Sequence, residues 1–241
     1  MSLNTDKTFQ FEKEFEILSF QIDPKGRLRW ASLADMLQEV AWKHADSRDF
    51  GKELFDKGFM WVLSRFHIKV FEMPSWGEYI KIKTAGRGIN KLFALREFEV
   101  ENRQGKIIAK AMSAWLLLDI KSKRPQRPRQ VLPYELFDDN PDISLVPDKI
   151  NLDIELLTSK SFSVNYSDLD MNNHVNNVSY IRWIEDFCFE KEIQFDELLI
   201  NYLTEAIIGE EIEILFQKNE KETILAGNYN NRKVFSARTN A

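Results

Sequence analysis

The stretch DLDMNNHVNNVSYIRW, residues 168–183, decides the fold because it joins a polar turn to an amphipathic helix. Asn and Asp favour turns and helix N-caps, so the first part of this stretch predicts a long capped turn. Large apolar residues follow at the i, i+3, i+4 and i+7 positions of a helix: Tyr180, Trp183, Ile184 and Phe187. The sequence therefore predicts a helix that begins at the polar turn and buries one face.

Strand-like runs surround this helix, and the same order of elements occurs in the first half of the chain. In the second half, one run precedes the turn and four follow the helix, at residues 161–166, 198–206, 211–217, 223–229 and 233–238. In the first half, one run again precedes a turn and a helix and four follow, at residues 9–20, 59–71, 78–85, 91–102 and 106–120.

An internal repeat relates the two halves. Sliding one half over the other by 147 residues places Asp23 on Asp170 and Leu37 on Ile184. We therefore predict an α+β fold made of a duplicated unit, in which one long helix packs against an antiparallel β-sheet.

A proline-rich segment separates the two halves. Five of the seven prolines lie between residues 125 and 147, and residues 121–150 show no sustained periodicity. We interpret this segment as a connecting linker. The predicted domains are residues 1–120 and 151–241.

Composition excludes several classes of protein. No run of 18 apolar residues occurs, so no membrane span is expected, and the net charge of −5 argues against general nucleic-acid binding. A single cysteine, Cys188, excludes internal disulfides and fits a reducing cytoplasm. Residues 1–10 lack the features of a secretory signal or transit peptide, so none is expected. Three histidines without paired spacing predict no metal site, and no cofactor is expected.

The polar turn carries the residues best suited to chemistry. Asp170, Asn172 and His174 occupy alternate positions, which would place them on one side of an extended segment. The apolar stripe of the helix, extended backwards, reaches Asn176 and Asn177, where a buried helix tip would meet a substrate. A helix N-terminus also suits a developing oxyanion. The alternative interpretation is a long capped turn with a purely structural role.

Residues 168–183 resemble the signature of acyl-acyl-carrier-protein (acyl-ACP) thioesterases, and the resemblance extends over most of the chain. It includes the segments WVLSR at residues 61–65 and SAW at residues 113–115, Asp119, and the basic Arg124-Pro125 stretch. The resemblance implies two hot-dog folds in tandem, each a sheet wrapped around a long helix.

The same resemblance implies a catalytic set. Asp170, Asn172 and His174 match the catalytic residues of the family, and Glu205 matches its further acid in a Tyr-x-x-Glu segment. Plant members carry Cys after that Glu, where this chain has Ala206, so a Cys-His-Asn mechanism has no nucleophile there. Cys188 is expected to pack in the core.

Two routes of thioester hydrolysis remain open from the sequence. Glu205, expected to be buried, would deprotonate an attacking water, or Asp170 would attack and form an acyl anhydride that water then hydrolyses. His174 would orient the carbonyl or protonate the departing sulfur, and Asn172 would hold His174 or the water. No Gly-x-Ser-x-Gly segment occurs, so a serine-hydrolase mechanism is not supported.

The first half lacks this set, because Lys25 and Arg27 face Asn172 and His174 at the 147-residue offset. We therefore expect a catalytic second half and a first half that binds the acyl chain. The predicted acyl slot is the helical stripe Leu33, Met36, Leu37 and Val40, for which ordinary core packing is the alternative.

Two further histidines are assigned no chemistry. His44 lies on the same helical stripe and is expected at the core or its rim. His67 alternates with Arg65 and Lys69 in a strand and is expected to face solvent.

A basic run lies in the linker. It consists of Lys121, Lys123, Arg124, Arg127 and Arg129. The functional interpretation is a docking surface for the acidic acyl carrier protein, and the alternative is a solvated connector.

The leading hypothesis is hydrolysis of acyl-ACP to free fatty acid and carrier thiol. The runner-up is an acyl-CoA thioesterase of the same fold, and the third is a non-catalytic acyl-binding module. Single-unit acyl-CoA thioesterases share a looser form of the motif and usually dimerise, so the tandem chain favours the carrier protein. Whether the tandem unit forms a homodimer is left open.

Overall fold

We describe the protein from a computed structural model, which covers residues 9–47, 52–132, 142–152 and 157–240. The strands of the first half are β1 (Phe11–Glu16), β2 (Phe59–Val70), β3 (Tyr79–Asn90), β4 (Phe93–Asn102) and β5 (Ile107–Asp119). Its helices are α1 (Trp30–Asp46) and α2 (Lys52–Asp56).

The connecting segment and the second half continue this numbering. The connecting segment contains β6 (Pro125–Gln126) and α3 (Pro128–Val131). The second half contains β7 (Leu157–Ser163), α4 (Asn177–Glu190), β8 (Glu197–Tyr202), β9 (Glu211–Lys218), β10 (Glu222–Tyr229) and β11 (Arg232–Asn240).

The strands of the two halves have the same order. The first half runs β1-β3-β4-β5-β2 and the second runs β7-β9-β10-β11-β8, so each half places its five strands in the order 1-3-4-5-2. Each pairing is antiparallel. A long helix accompanies each set of strands, which confirms the predicted α+β class and its tandem hot-dog architecture.

The two sheets are joined into one. Strand β2 of the first half pairs with β8 of the second, with Arg65 opposite Asn201 and Lys69 opposite Glu197. Helices α1 and α4 also contact each other, and one cluster of buried side chains includes residues from both halves. The two halves therefore share a single core.

The apolar stripes form the inner faces of the two long helices. Tyr180, Trp183, Ile184 and Phe187 of α4 are buried, as expected. The corresponding stripe of α1 is also buried, and it includes Leu33, Met36, Leu37, Val40 and His44. The expected core position of His44 is confirmed. None of the helices in the described ranges is long and apolar enough to cross a membrane.

The connecting segment packs against the sheet. Leu145 belongs to a cluster with Leu95 and Met112, and Ile150 to another with Leu199. The segment is therefore more than a loose loop where it is described, although residues 133–141 of the predicted linker lie outside the described residues.

The prediction that His67 faces solvent is wrong. The side chain is 8 % exposed because the connecting segment covers it, and its Nδ1 lies 3.1 Å from the carbonyl oxygen of Leu145. Its Nε2 lies 2.8 Å from Oε1 of Glu197 on β8. Strand alternation placed this residue on the correct face, but the covering segment is remote in sequence.

Candidate active site

The polar turn is a tight loop rather than an extended segment. The N–H of Asp170 donates to the carbonyl oxygen of His174 at 2.7 Å, and Asn173 has a φ of 61°. Oδ1 of Asp170 accepts hydrogen bonds from the backbone N–H groups of Asn172 at 2.8 Å and His174 at 3.2 Å. The Asn172 amide also donates to Oδ2 of Asp170 at 3.3 Å. The Asp170 carboxylate therefore organises the loop that carries Asn172 and His174.

A second loop brings Glu205 to His174. Nε2 of His174 lies 3.2 Å from Oε2 of Glu205. The backbone N–H of Val175 donates to the carbonyl oxygen of Ala206 at 2.9 Å, and an Arg232 guanidinium N–H donates to that of Glu205 at 2.6 Å. These contacts hold the two loops side by side.

Glu205 is not buried, contrary to expectation. Its side chain is 60 % exposed and that of His174 is 36 % exposed. Ala206, the next residue, is buried, and its N–H donates to the Tyr180 hydroxyl at 3.2 Å. The loop therefore turns the acid outward and the alanine inward.

The N-terminus of α4 opens beside this loop. Asn176 is the N-cap, and its Oδ1 accepts a hydrogen bond from the N–H of Val178 at 2.9 Å. Within the described ranges, no acceptor is found for the N–H of Asn177. An unpaired N–H at a helix N-terminus, together with the helix dipole, favours a negatively charged oxygen.

The first half contains the same loop without the same chemistry. Oδ1 of Asp23 accepts from the N–H groups of Lys25 at 2.8 Å and Arg27 at 2.9 Å, as Asp170 does 147 residues later. Gly26, with a φ of 78°, occupies the position of Asn173. The repeat is therefore confirmed at atomic detail, whereas Lys25 and Arg27 replace Asn172 and His174.

The position of Glu205 also has a counterpart in the first half. The N–H of Leu28 donates to the carbonyl oxygen of Pro74 at 2.8 Å, just as that of Val175 donates to Ala206. The residue before Pro74 is Met73, so the first half places a thioether where the second half has Glu205. The first loop consequently lacks both members of the His–Glu pair.

A large cavity adjoins the loop that carries Asp170, Asn172 and His174, the candidate catalytic loop. Its volume is about 1170 Å³, and the second half contributes Asp170, Met171, Asn172, Asn176 and Asn177 to its wall. The rest of its wall comes from α1, α2 and the strands of the first half, and includes Gln38, Trp42, Phe55, Trp61, Arg96 and Trp115. The cavity therefore lies between the candidate catalytic loop and the first half.

The four residues of α1 that were predicted to form the acyl slot do not line this cavity. Leu33, Met36, Leu37 and Val40 are at most 4 % exposed in the core, and none of them is among the residues that line the cavity. Another face of the helix, which includes Gln38 and Trp42, lines it instead. The sequence analysis missed these residues because periodicity identifies the most apolar face, and this face carries polar side chains.

One part of the cavity wall carries a partly buried cation, Arg96. An Nη1 N–H of Arg96 lies 2.8 Å from Nδ1 of His44 and 3.3 Å from Oγ1 of Thr84. Burial lowers the pKa of the Arg96 guanidinium to about 10. The wall of the cavity is therefore apolar and aromatic in part and polar at this point.

The basic run is exposed at the end of β5. Lys121, Lys123, Arg124, Arg127 and Arg129 all have exposed side chains. The preceding Asp119 organises the turn by accepting hydrogen bonds from the Ser122 N–H at 2.7 Å and hydroxyl at 2.8 Å. The N–H of Ile120 donates to the carbonyl oxygen of Gly58 at 2.9 Å, which places the run beside α2 and hence near the cavity wall.

Cys188→Ala is expected to retain wild-type-like turnover. The cysteine is buried in α4, as expected, and burial raises the pKa of its thiol to about 12. Such a thiol is neither ionised nor accessible near neutral pH. The measurements are kcat of the purified variant and hydrolysis by the native protein after thiol alkylation. A folded but inactive variant would contradict a mechanism based on Glu205 or Asp170 and would favour one in which the thiol takes part.

Two family models together match most of the chain. Residues 8–132 match the acyl-ACP thioesterase N-terminal domain, and residues 152–240 match the acyl-ACP thioesterase C-terminal domain.

Similar proteins include plant enzymes. A chloroplastic palmitoyl-acyl carrier protein thioesterase of Gossypium hirsutum is 32 % identical over 190 residues, covering 72 % of this chain and 46 % of that protein. Oleoyl-acyl carrier protein thioesterase 1 of Arabidopsis thaliana is 24 % identical over 220 residues, covering 81 % and 59 %. The chain thus spans about half the length of these relatives.

Solved structures match over nearly the whole chain. An acyl-ACP thioesterase from Bacteroides thetaiotaomicron has a TM-score of 0.87 and 26 % identity, covering 95 % of this chain and 96 % of that one. The 12:0-ACP thioesterase of Umbellularia californica has a TM-score of 0.78 and 23 % identity, covering 95 % of each chain, and supports the fold.

Proposed function

The chain belongs to the acyl-ACP thioesterase family, and from this premise we propose that it hydrolyses acyl-ACP to free fatty acid and carrier thiol. The observation that carries the proposal is the His174–Glu205 contact of 3.2 Å, because His174 belongs to the loop whose residues 170–172 line a cavity of about 1170 Å³. An acid–base pair next to a space large enough for an acyl chain is what thioester hydrolysis needs.

Water attack is the route that the loop geometry favours. Both oxygens of Asp170 already accept hydrogen bonds within its own loop, and Asp23 makes equivalent bonds in the half that lacks the catalytic set. A carboxylate occupied in this way is a poor nucleophile. We therefore assign Asp170 and Asn172 to holding the loop and assign proton transfer to His174 and Glu205.

The proposed reaction proceeds in two steps. His174, supported by Glu205, takes a proton from water as the water oxygen bonds to the thioester carbon, and the carbonyl oxygen becomes an oxyanion. The N–H of Asn177 stabilises that oxyanion at the α4 N-terminus. The C–S bond then breaks, and the proton on His174 passes to the departing thiolate. The products are a fatty acid and a thiol.

The proposal divides the work between the halves. Residues 151–241 supply His174 and Glu205, and residues 1–120 supply most of the cavity wall. The acyl chain would lie against the face of α1 that includes Trp42, with Leu33, Met36, Leu37 and Val40 supporting the helix from the core. We also propose a cytoplasmic location, because a chain with a single cysteine fits a reducing compartment.

Hydrolysis assays on two carriers test this function. Purified protein is given the same acyl group on acyl carrier protein and on coenzyme A, and free thiol is measured. Faster kcat/KM with the carrier protein is the expected result. Faster hydrolysis of acyl-CoA would favour the CoA thioesterase, and tight acyl binding without hydrolysis of either would indicate a binding module.

Replacing Lys123, Arg124 and Arg127 by Ser is expected to raise KM for acyl-ACP at low salt. These exposed cations would attract the acidic carrier, and salt screens such attraction beyond roughly 8 Å at physiological ionic strength. The measurement compares KM for acyl-ACP at about 20 mM salt and at physiological salt.

A small thioester, acyl-N-acetylcysteamine, is the control because it lacks the carrier. Its hydrolysis should be nearly unchanged in the triple variant. Equal losses on both substrates would assign the run to folding or packing. No loss on either would leave it a solvated connector.

A further inference from the structure

The internal repeat pairs Gln38 on α1 with Glu185 on α4. The two positions are 147 residues apart, the same offset that relates Asp23 to Asp170. Each side chain therefore occupies the same place in its own half. Because α1 and α4 contact each other, each of these residues belongs to a helix that packs against the other half.

Glu185 closes the N-terminus of α1. Its Oε1 accepts a hydrogen bond from the N–H of Trp30 at 2.9 Å, and its Oε2 accepts one from the N–H of Ala31 at 3.2 Å. Burial raises the pKa of the Glu185 carboxyl, and the hydrogen bonds from Trp30 and Ala31 act against that rise. A carboxylate oxygen thus occupies the place where an anion would bind to α1.

The corresponding place on α4 is open. At the 147-residue offset, Asn177 and Val178 correspond to Trp30 and Ala31. Val178 is capped by Asn176, whereas no acceptor for the N–H of Asn177 is found in the described part of the chain. Gln38 lines the cavity together with Asn176 and Asn177. No hydrogen bond between Gln38 and α4 is found among the described residues. Glu185 contacts the N-terminus of α1 directly, whereas Gln38 and the N-terminus of α4 both face the cavity.

We propose that Gln38 is a catalytic residue that donates an Nε2–H hydrogen bond to the thioester carbonyl oxygen, opposite the N–H of Asn177. An amide and a backbone N–H on two sides of a cavity can share one acceptor oxygen, and the charge on that oxygen increases during the reaction. A carboxylate in the same place would bind the helix N-terminus itself, as Glu185 does. Gln38 therefore both supplies a donor and leaves the oxyanion position open.

The inference rests on the proposed function and explains a further difference between the halves. The first half lacks the His–Glu pair, and its helix N-terminus is also occupied by Glu185. The second half has the pair and an uncharged amide at the equivalent position. One repeat position thus separates a closed helix end from an open one.

Gln38→Glu tests this directly, because it should reproduce in α4 the closure seen in α1. We expect kcat on a small acyl thioester to fall by about 10²-fold or more near neutral pH. The deficit relative to wild type should shrink as pH is lowered towards about 5, because a protonated carboxyl binds the helix N-terminus more weakly and can donate a hydrogen bond.

The charged groups around this position strengthen the expected pH dependence. Four acids line the same cavity, namely Asp35, Glu39 and Asp46 on α1 and Asp170 on the catalytic loop, together with His44 and the cations Lys52 and Arg96. Arg182 on α4 lowers the pKa of Asp35 against the larger effect of burial, which raises it. The acids outnumber the cations among these groups and so favour protonation of the introduced carboxyl, and recovery should begin above the pKa of an ordinary Glu.

Gln38→Ala separates the lost donor from the added charge. It should lower kcat by about 10- to 10³-fold at each pH with little change in KM, because the hydrogen bond strengthens in the transition state. Glu185→Gln is the matched control at the repeat position, and it should leave kcat near wild type. Thermal unfolding of each variant checks the fold.

The outcomes distinguish this inference from the proposed function. A wild-type protein that hydrolyses no thioester would overturn the proposed function. If the wild type is active and folded Gln38→Glu and Gln38→Ala both keep the wild-type kcat, the role of Gln38 is overturned while the proposed function stands. If Gln38→Glu does not fold, Gln38→Ala decides the matter, and a loss confined to KM would contradict a donor to the oxyanion.

Discussion

His174→Ala and Glu205→Gln are each expected to lower kcat by about 10²-fold or more. The two side chains are 3.2 Å apart, and in the first half Arg27 and Met73 stand at their positions. Loss of His174 removes the group that takes and returns the proton. Loss of the Glu205 charge weakens the acceptor that orients the ring and removes the charge that stabilises the protonated ring. The measurement is kcat on a small acyl thioester with purified, folded variants.

The double variant provides the control on this pair. Two residues that act as one unit give losses that do not add, so His174→Ala with Glu205→Gln should be little worse than His174→Ala alone. Wild-type-like kcat in folded Glu205→Gln would remove Glu205 from the mechanism. Fully multiplicative losses would mean that the two groups act in separate steps.

Asp170→Asn is expected to lower kcat by about 10²-fold or more while weakening the loop. Its carboxylate accepts the backbone N–H groups of Asn172 and His174, and a neutral amide oxygen accepts them less strongly. The loop that carries His174 would then sample other positions, and misplaced catalytic groups lose rate steeply. The measurements are kcat and thermal unfolding of the purified variant.

Asp23→Asn is the matched control, because Asp23 makes the same hydrogen bonds in the first half. Both variants should lose a similar amount of stability, about 1 kcal/mol, whereas Asp170→Asn alone should lose most of its turnover. Equal turnover losses would show that loop stability, and not the catalytic loop itself, controls the rate. Burst-phase acyl-enzyme formation by the wild type would instead restore Asp170 as the nucleophile.

Helix and strand positions were predictable because local patterns determine them. The stripes on α1 and α4 report which face is buried, and the alternation in β2 reports which residues share a face. The loop at Asp170 was predictable as a turn because Asn and Asp are frequent there. Its tight form was not, because the hydrogen bonds of the Asp170 carboxylate depend on the backbone of residues further along the loop.

Contacts between residues far apart in the chain were harder to predict from the sequence. The sequence placed His67 on the outer face of β2, but the segment around Leu145 that buries it lies 78 residues later. Periodicity likewise identified Leu33 and Leu37 as buried but gave no means of identifying Gln38 as a cavity residue. The pattern of residues along one helix or strand shows which of its faces is buried. It does not show which distant residues contact that face.

The sequence by itself determined the duplicated unit, its two long helices, and the loop that carries Asp170, Asn172 and His174, because each depends on residues close together in the chain. Only the tertiary structure decided that β2 and β8 join the halves into one sheet, that Glu205 meets His174, and that the cavity opens between the catalytic loop and the first half. Strand edges, loops and helix ends can meet many partners with similar local energy. Which partner is chosen depends on burying the whole core at once, and no local pattern contains that information.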